Sequence, residues 1–263
     1  MRLPRAVERA SAILAFALVA AAPSRTSARE TIDIAVEDAA APWSQADGTG
    51  YANDVARAAF AVAGVDVRMH VMPYARCKQL VVKGEMVACV TMSPAPELVG
   101  VVRFSARPLF EFACDFFERT GQPVHQKPET LEPGTRIGTV LGYEYPPEVL
   151  ELARRRKLIF DPAPTEETNL RKLAAGRLDM AVVNRDAVKS ADWVAGRAGV
   201  TGKVRSAFRI GALPGYIGFS LAHPSGPALA RRFDAGLERL IASGERDRIQ
   251  QRWIAGNARP AGT

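Results

Sequence analysis

Residues Pro73–Phe110, PYARCKQLVVKGEMVACVTMSPAPELVGVVRFSARPLF, read as a helix, a strand, a polar turn and a second strand. Tyr74, Cys77, Leu80 and Val81 recur at helical spacing, which gives the first segment one apolar face. Gly84 stops it. Val87–Met92 is a short apolar run rich in β-branched and sulfur side chains, as suits a strand buried on both faces. Thr91 and Ser93 place hydroxyls where that strand ends, and in an open α/β sheet ligands sit at that end. Pro94 and Pro96 end the regular structure, and Phe104–Phe110 resumes with apolar residues.

Working outward, Glu30–Val36 alternates as a first strand and delivers Glu37 to its carboxyl end. Gly48–Gly64 contains a helix that Asn53 or Asp54 can cap, with Asp54 read as structural. Val65–Met72 is a second strand, and Phe110–Glu118 a long apolar one. Gly121–Glu132 is a polar loop. Thr135–Gly142 starts a new strand and glycine turn. The helix YEYPPEVLELARRR follows; Pro146 and Pro147 fit only its first turn, and amides at such a helix start can hold an anionic group. Leu158–Phe160 is a short strand. Thr165–Gly176 reads as a capped helix with a glutamate in the capping-box position. Arg177–Asn184 and Phe208–Ala222 are strands, and Pro227–Trp253 forms two amphipathic helices. This alternation predicts an α/β fold.

The 263 residues, 48% hydrophobic, suffice for one large domain or two lobes with separate cores. Aromatics are only 7%, which argues against a base-stacking nucleic-acid binder. The formal charge of +7 falls to +4 without residues 1–28, which hold Arg2, Arg5, Arg9 and Arg25 against Glu8. Such a mild excess bears on solubility, not on DNA.

Arg2, Arg5 and Arg9 form a basic n-region, Ile13–Ala22 is an apolar stretch too short to span a bilayer, and Thr26-Ser27-Ala28 supplies small residues for cleavage near Ala28. The expectation is a signal peptide over 1–28 and a mature chain exported to the periplasm. The alternative is an N-terminal membrane anchor. In an oxidising compartment Cys77, on the apolar helix face, and Cys89, in the next strand, are expected to bond, which leaves Cys114 as a buried free thiol. Three reduced buried cysteines are the alternative. No Cys/His spacing fits a zinc site, and neither metal nor cofactor is expected.

The Thr91-to-Phe110 pattern of strand end, Pro/Glu turn, "FS" and "PLF" resembles the first lobe of bacterial periplasmic solute-binding proteins of the amino-acid-binding type, substrate-binding family 3 of ABC transporters. Gly50-Tyr51 with Asp54, the GRLDMAVVN run over 176–184 and the C-terminal S-G-x-x-x-x-I-x-x-x-W occur in the family's order. The resemblance implies a two-lobed periplasmic-binding-protein type 2 fold with a hinge of two crossing strands. Lobe 1 is then 29–113 and 212–263, and lobe 2 is 114–211. It implies a ligand set of Glu37, Trp43, Tyr74, Thr91, Ser93, Tyr143, Glu144, Tyr145 and Asn184, with Asp179 as a structural acid. Its expected partners are a small-molecule solute and an inner-membrane ABC permease, with a monomeric chain and no catalysis.

Two departures bear on the ligand. Leu98 stands where amino-acid binders of this type carry the arginine that clamps an α-carboxylate, and Asn184 stands in place of the aspartate that holds an ammonium. The expected solute is therefore small and polar but not an ordinary α-amino acid, unless Arg76 or Arg185 supplies the carboxylate contact from another direction. The alternatives to transport are a periplasmic enzyme on the same scaffold, resembling cyclohexadienyl dehydratases with Glu37 or Glu144 as acid or base, and a sensor or accessory subunit of another periplasmic system.

Overall fold

A computed structural model describes residues 29–122, 125 and 127–257. The expected signal peptide lies outside them. In chain order the elements are β1 (Glu30–Glu37), β2 (Ala39–Ala40), β3 (Ser44–Gln45), α1 (Tyr51–Val62), β4 (Val65–Met72), α2 (Tyr74–Lys83), β5 (Ala88–Met92), β6 (Val102–Phe104) and β7 (Phe110–Arg119). They continue with β8 (Arg136–Val140), α3 (Pro147–Arg156), β9 (Ile159–Ala163), α4 (Glu166–Ala174), β10 (Met180–Arg185), α5 (Ala191–Arg197), β11 (Val204–Ser220), α6 (Gly226–Ala242) and α7 (Glu245–Asn257).

The strands run in the order β4-β1-β5-β11-β7-β10-β8-β9, with β6 also on β11. β1 is parallel to β4 and β5, and β8 is parallel to β9 and β10. Two parallel arrays are thus joined by the antiparallel pair β7 and β11. β11 pairs with β7 from Val204 to Gly215, shifts register at Tyr216/Ile217, and then pairs with β5 and β6 up to Ser220. These two strands are the crossings between the lobes.

Apolar spacing explains which face each helix buries. In α1, Tyr51, Ala52, Val55, Ala56, Ala59 and Phe60 all point inward. Phe60 meets Phe233 of α6 at 4.7 Å between ring centroids and Phe219 of β11 at 6.4 Å. In α2, Tyr74, Cys77 and Val81 are buried, Gly84 closes the helix in the left-handed conformation, and Cys77 is bonded to Cys89 of β5. Cys114 is the free, buried thiol.

Several local readings need correction. Neither Asn53 nor Asp54 caps α1. Its N-cap is Gly50 at φ 140°, where an added Cβ would lie 2.3 Å from the Trp43 carbonyl oxygen. Asn53 instead donates to Ser44 Oγ at 2.9 Å, and Asp54 accepts from Trp253 Nε1 at 2.9 Å, which ties α1 to α7. Thr165 does cap α4, accepting from the Thr168 amide at 3.0 Å, but the third helical position is Thr168, so no capping box exists and Glu166 is free to point inward. α3 starts only at Pro147, with Pro146 as its N-cap. Two prolines there remove two amide donors, which weakens that helix start as an anion site.

Candidate functional site

Strand register brings the site together. Ala35 pairs with Cys89, so Glu37 lies beside Thr91 at the carboxyl ends of β1 and β5. In the other lobe Met180 pairs with Ile137, so Asn184 near the end of β10 lies close to the turn after β8 that carries Tyr143 and Glu144. Both sets of strand ends face the same cleft, as expected for open α/β sheets.

One cavity there is lined by Glu37, Ala40, Trp43, Tyr74, Thr91, Ser93, Phe110, Phe112, Tyr143, Glu144 and Asn184. It contains every residue of the expected ligand set except Tyr145, whose hydroxyl accepts from the Val140 amide at 2.8 Å and whose ring packs near Phe160. About 20 Å³ is open, enough for roughly one water molecule. Side chains fill the rest. Trp43 stacks on Phe110 at 4.8 Å and meets Phe112 at 5.5 Å. Tyr74 and Tyr143 meet edge to face at 5.3 Å.

Hydrogen bonds cross the cleft. Tyr143 donates to Glu37 Oε1 at 2.5 Å, Tyr74 donates to Glu144 Oε2 at 2.6 Å, and Lys78 donates to Glu144 Oε1 at 2.9 Å and to the Gly142 carbonyl at 2.7 Å. Gly142 has φ 85°, and an added Cβ would stand 3.0 Å from Ala75 Cβ, so glycine permits this approach of the two lobes. Ser93 donates to the Pro214 carbonyl of β11 at 2.9 Å. Thr91 adopts φ 71°, a left-handed conformation that is a true outlier for a β-branched residue and that concentrates at functional sites.

Behind the cavity lies a second layer. Glu166 accepts from the Asn184 amide at 2.7 Å and from Lys189 Nζ. Lys189 stands 4.5 Å over the Trp43 ring, and Trp43 Nε1 donates to Asp186 Oδ2 at 2.9 Å. Cys114 donates to Asn184 Oδ1 at 3.2 Å, which turns the Asn184 amide nitrogen the other way. Burial pushes Glu37 up to about 8, with repulsion from Glu166 and Asp38 outweighed in part by the Tyr143 hydrogen bond and Lys189. Burial also raises Glu166 and Asp186. Tyr74 and Tyr143 are raised well above the ordinary tyrosine value by burial and then by the neighbouring carboxylates, so both remain hydrogen-bond donors.

The two arginines considered for a carboxylate contact lie elsewhere. Arg76 is exposed, and Arg185 Nε is 3.1 Å from Asp115 Oδ2. Leu98 is buried with Tyr74 and Cys77 in an apolar cluster. Sequence reading missed Lys78, Lys189, Glu166 and Asp186. Lys78 follows Tyr74 by one helical turn, which was the available signal. The other three offered none, because their partners are remote in the chain.

Residues 32–256 match the family of bacterial extracellular solute-binding proteins, family 3. No curated protein matches the chain. Among solved structures, a histidine kinase sensor domain similar to periplasmic binding proteins is 22% identical with a TM-score of 0.71, covering 86% of this chain and 96% of its own. An ancestral arginine-binding protein bound to arginine is 20% identical with a TM-score of 0.72, covering 86% and 98%. The ancestral amino-acid-binding protein AncCDT-1, a precursor of cyclohexadienyl dehydratase, is 17% identical with a TM-score of 0.67, covering 86% and 96%. These likenesses concern the fold, which is the two-lobed type 2 periplasmic-binding-protein architecture. With the family match spanning nearly all of the described residues, this chain belongs to the bacterial extracellular solute-binding proteins, family 3.

Proposed function

We propose that the chain captures a small polar solute in the cleft between its lobes and delivers it to an inner-membrane ABC permease. The observation that carries this reading is the cavity to which Glu37, Thr91 and Ser93 come from one lobe and Tyr143, Glu144 and Asn184 from the other. Such a site is complete only when the lobes meet, so a solute that bridges them shifts the hinge by its differential affinity for the closed form. The lobes are assigned as 29–113 with 212–263, and 114–211. The mature protein is exported to the periplasm after cleavage near Ala28 and works as a monomer. Thermal-shift measurements with amino acids, amines, polyols and organic acids, followed by solution scattering on any hit, test the reading. A hit that stabilises the protein and compacts it supports capture; uptake lost on deletion of the gene supports transport.

A second reading is catalysis on the same scaffold. It is favoured by Glu37, a buried carboxyl pushed up to about 8 inside the cavity, where it could exchange a proton near neutral pH. Recovery of an unaltered solute after prolonged incubation with the protein counts against this reading. Product formation that Glu37→Gln abolishes would establish it.

A further inference from the structure

Four carboxyl groups surround the cleft: Glu37 and Glu144 line it, while Asp186 and Glu166 stand directly behind Trp43 and Asn184. Two ammonium groups face them, and both are committed. Lys78 is held by Glu144 and the Gly142 carbonyl, and Lys189 by Glu166. The site therefore holds more acid than base, and no free cation stands ready for a solute carboxylate among the described residues.

Glu37 is 3% exposed and only half satisfied. Its Oε1 accepts from Tyr143. Its Oε2 has Thr91 Oγ1 at 3.4 Å, but that hydroxyl carries one hydrogen and directs it to the Val90 carbonyl at 2.5 Å. Oε2 thus faces the cavity without a committed partner: it carries the proton while Glu37 is neutral, and becomes a free acceptor when a cation beside it favours the ionised form. The rings of Phe110 and Phe112 line the same cavity, and aromatic faces attract cations. The protein already uses one such face in this way, since Lys189 Nζ sits 4.5 Å from the Trp43 ring.

We propose that the solute is a compact organic ammonium ion without a carboxylate group, its nitrogen held by Glu37 Oε2 and its carbon groups against Phe110 and Phe112. This rests on the solute-capture reading and specifies the class of solute. The small open volume implies that the lobes separate to admit it. The groups facing Glu37 are Asp38 on its own strand end, Tyr74 from α2, Thr91 from β5, Tyr143 after β8, Glu166 from α4 and Lys189 after β10.

The test is calorimetry and thermal shift on the mature chain with ethanolamine, trimethylamine and choline as cations, ethylene glycol as a neutral control, glycolate and succinate as anions, and glycine and serine as zwitterions. At least one cation is expected to bind and to stabilise the protein, while the neutral and anionic probes do not. Glu37→Gln, which keeps the shape of the protonated side chain, should weaken that binding roughly a hundredfold. Phe112→Leu should weaken it roughly tenfold. Binding of a zwitterion or an anion in preference to every cation overturns the charge assignment and leaves solute capture standing. Cation binding that is unchanged in Glu37→Gln overturns the contact. No response to any probe, with scattering also unchanged, overturns both this inference and the capture reading.

Discussion

Tyr143 and Glu37 belong to different lobes and share a hydrogen bond of 2.5 Å at the centre of the cleft. The contact joins a carboxyl and a phenol that burial has both raised, so the phenol donates and the carboxyl accepts.

The first prediction concerns pH. Glu37 keeps its proton in the folded chain up to about 8 but loses it near its ordinary value of 4.5 when unfolded. Between those values the folded state binds the extra proton. Its contribution to stability is full below about 4.5 and falls as pH rises towards 8. Glu166 and Asp186, also raised by burial, act in the same direction. Urea unfolding at pH 5, 6.5 and 8 should show the ligand-free protein losing stability, and Glu37→Gln should flatten much of that slope.

The second concerns the hinge. Gly142→Ala forces a left-handed backbone on alanine, which costs about 1–2 kcal/mol of stability whether the lobes are open or closed. Its methyl also stands 3.0 Å from Ala75 Cβ, and that crowding falls on the closed form alone. Solution scattering should report a larger radius of gyration than for the wild type, and any bound solute should dissociate about tenfold faster.

The third concerns the buried pair Glu166 and Lys189. Lys189→Met leaves an uncompensated carboxylate and should cost about 3–5 kcal/mol at pH 7. The double change Glu166→Gln with Lys189→Met should recover much of that loss. Chemical denaturation of the three proteins measures it.

The fourth concerns the cysteines. Denatured, unreduced protein should titrate one thiol per chain, that of Cys114. Replacing Cys77 and Cys89 together by serine should lower stability by roughly 2–3 kcal/mol, because the bridge restricts the unfolded chain and pins α2 to β5.

The fold was legible because its elements carry local signals. The helical spacing of Tyr74, Cys77 and Val81, and the run ending at Thr91 and Ser93, lie within single elements. Their position at strand ends then followed from sheet geometry. What stayed hidden depends on partners remote in the chain. Glu166 at a helix start looks like an ordinary first-turn acid, and only the fold shows it facing Lys189 and the Asn184 amide. Tyr145 stands apart from its neighbours because its hydroxyl turns back to the Val140 amide, while Tyr143 and Glu144 reach the cleft.

The passage of β11 through both arrays also governs how the chain must assemble. β7, β8, β9 and β10 form a contiguous stretch that can begin to pair as soon as it is made. β5, by contrast, gains its antiparallel neighbour only from residues 216–219, and α1 its aromatic partner only from α6. The amino-terminal array thus waits with an open edge until the last fifth of the chain arrives, and long-range pairings of this kind are slow to form.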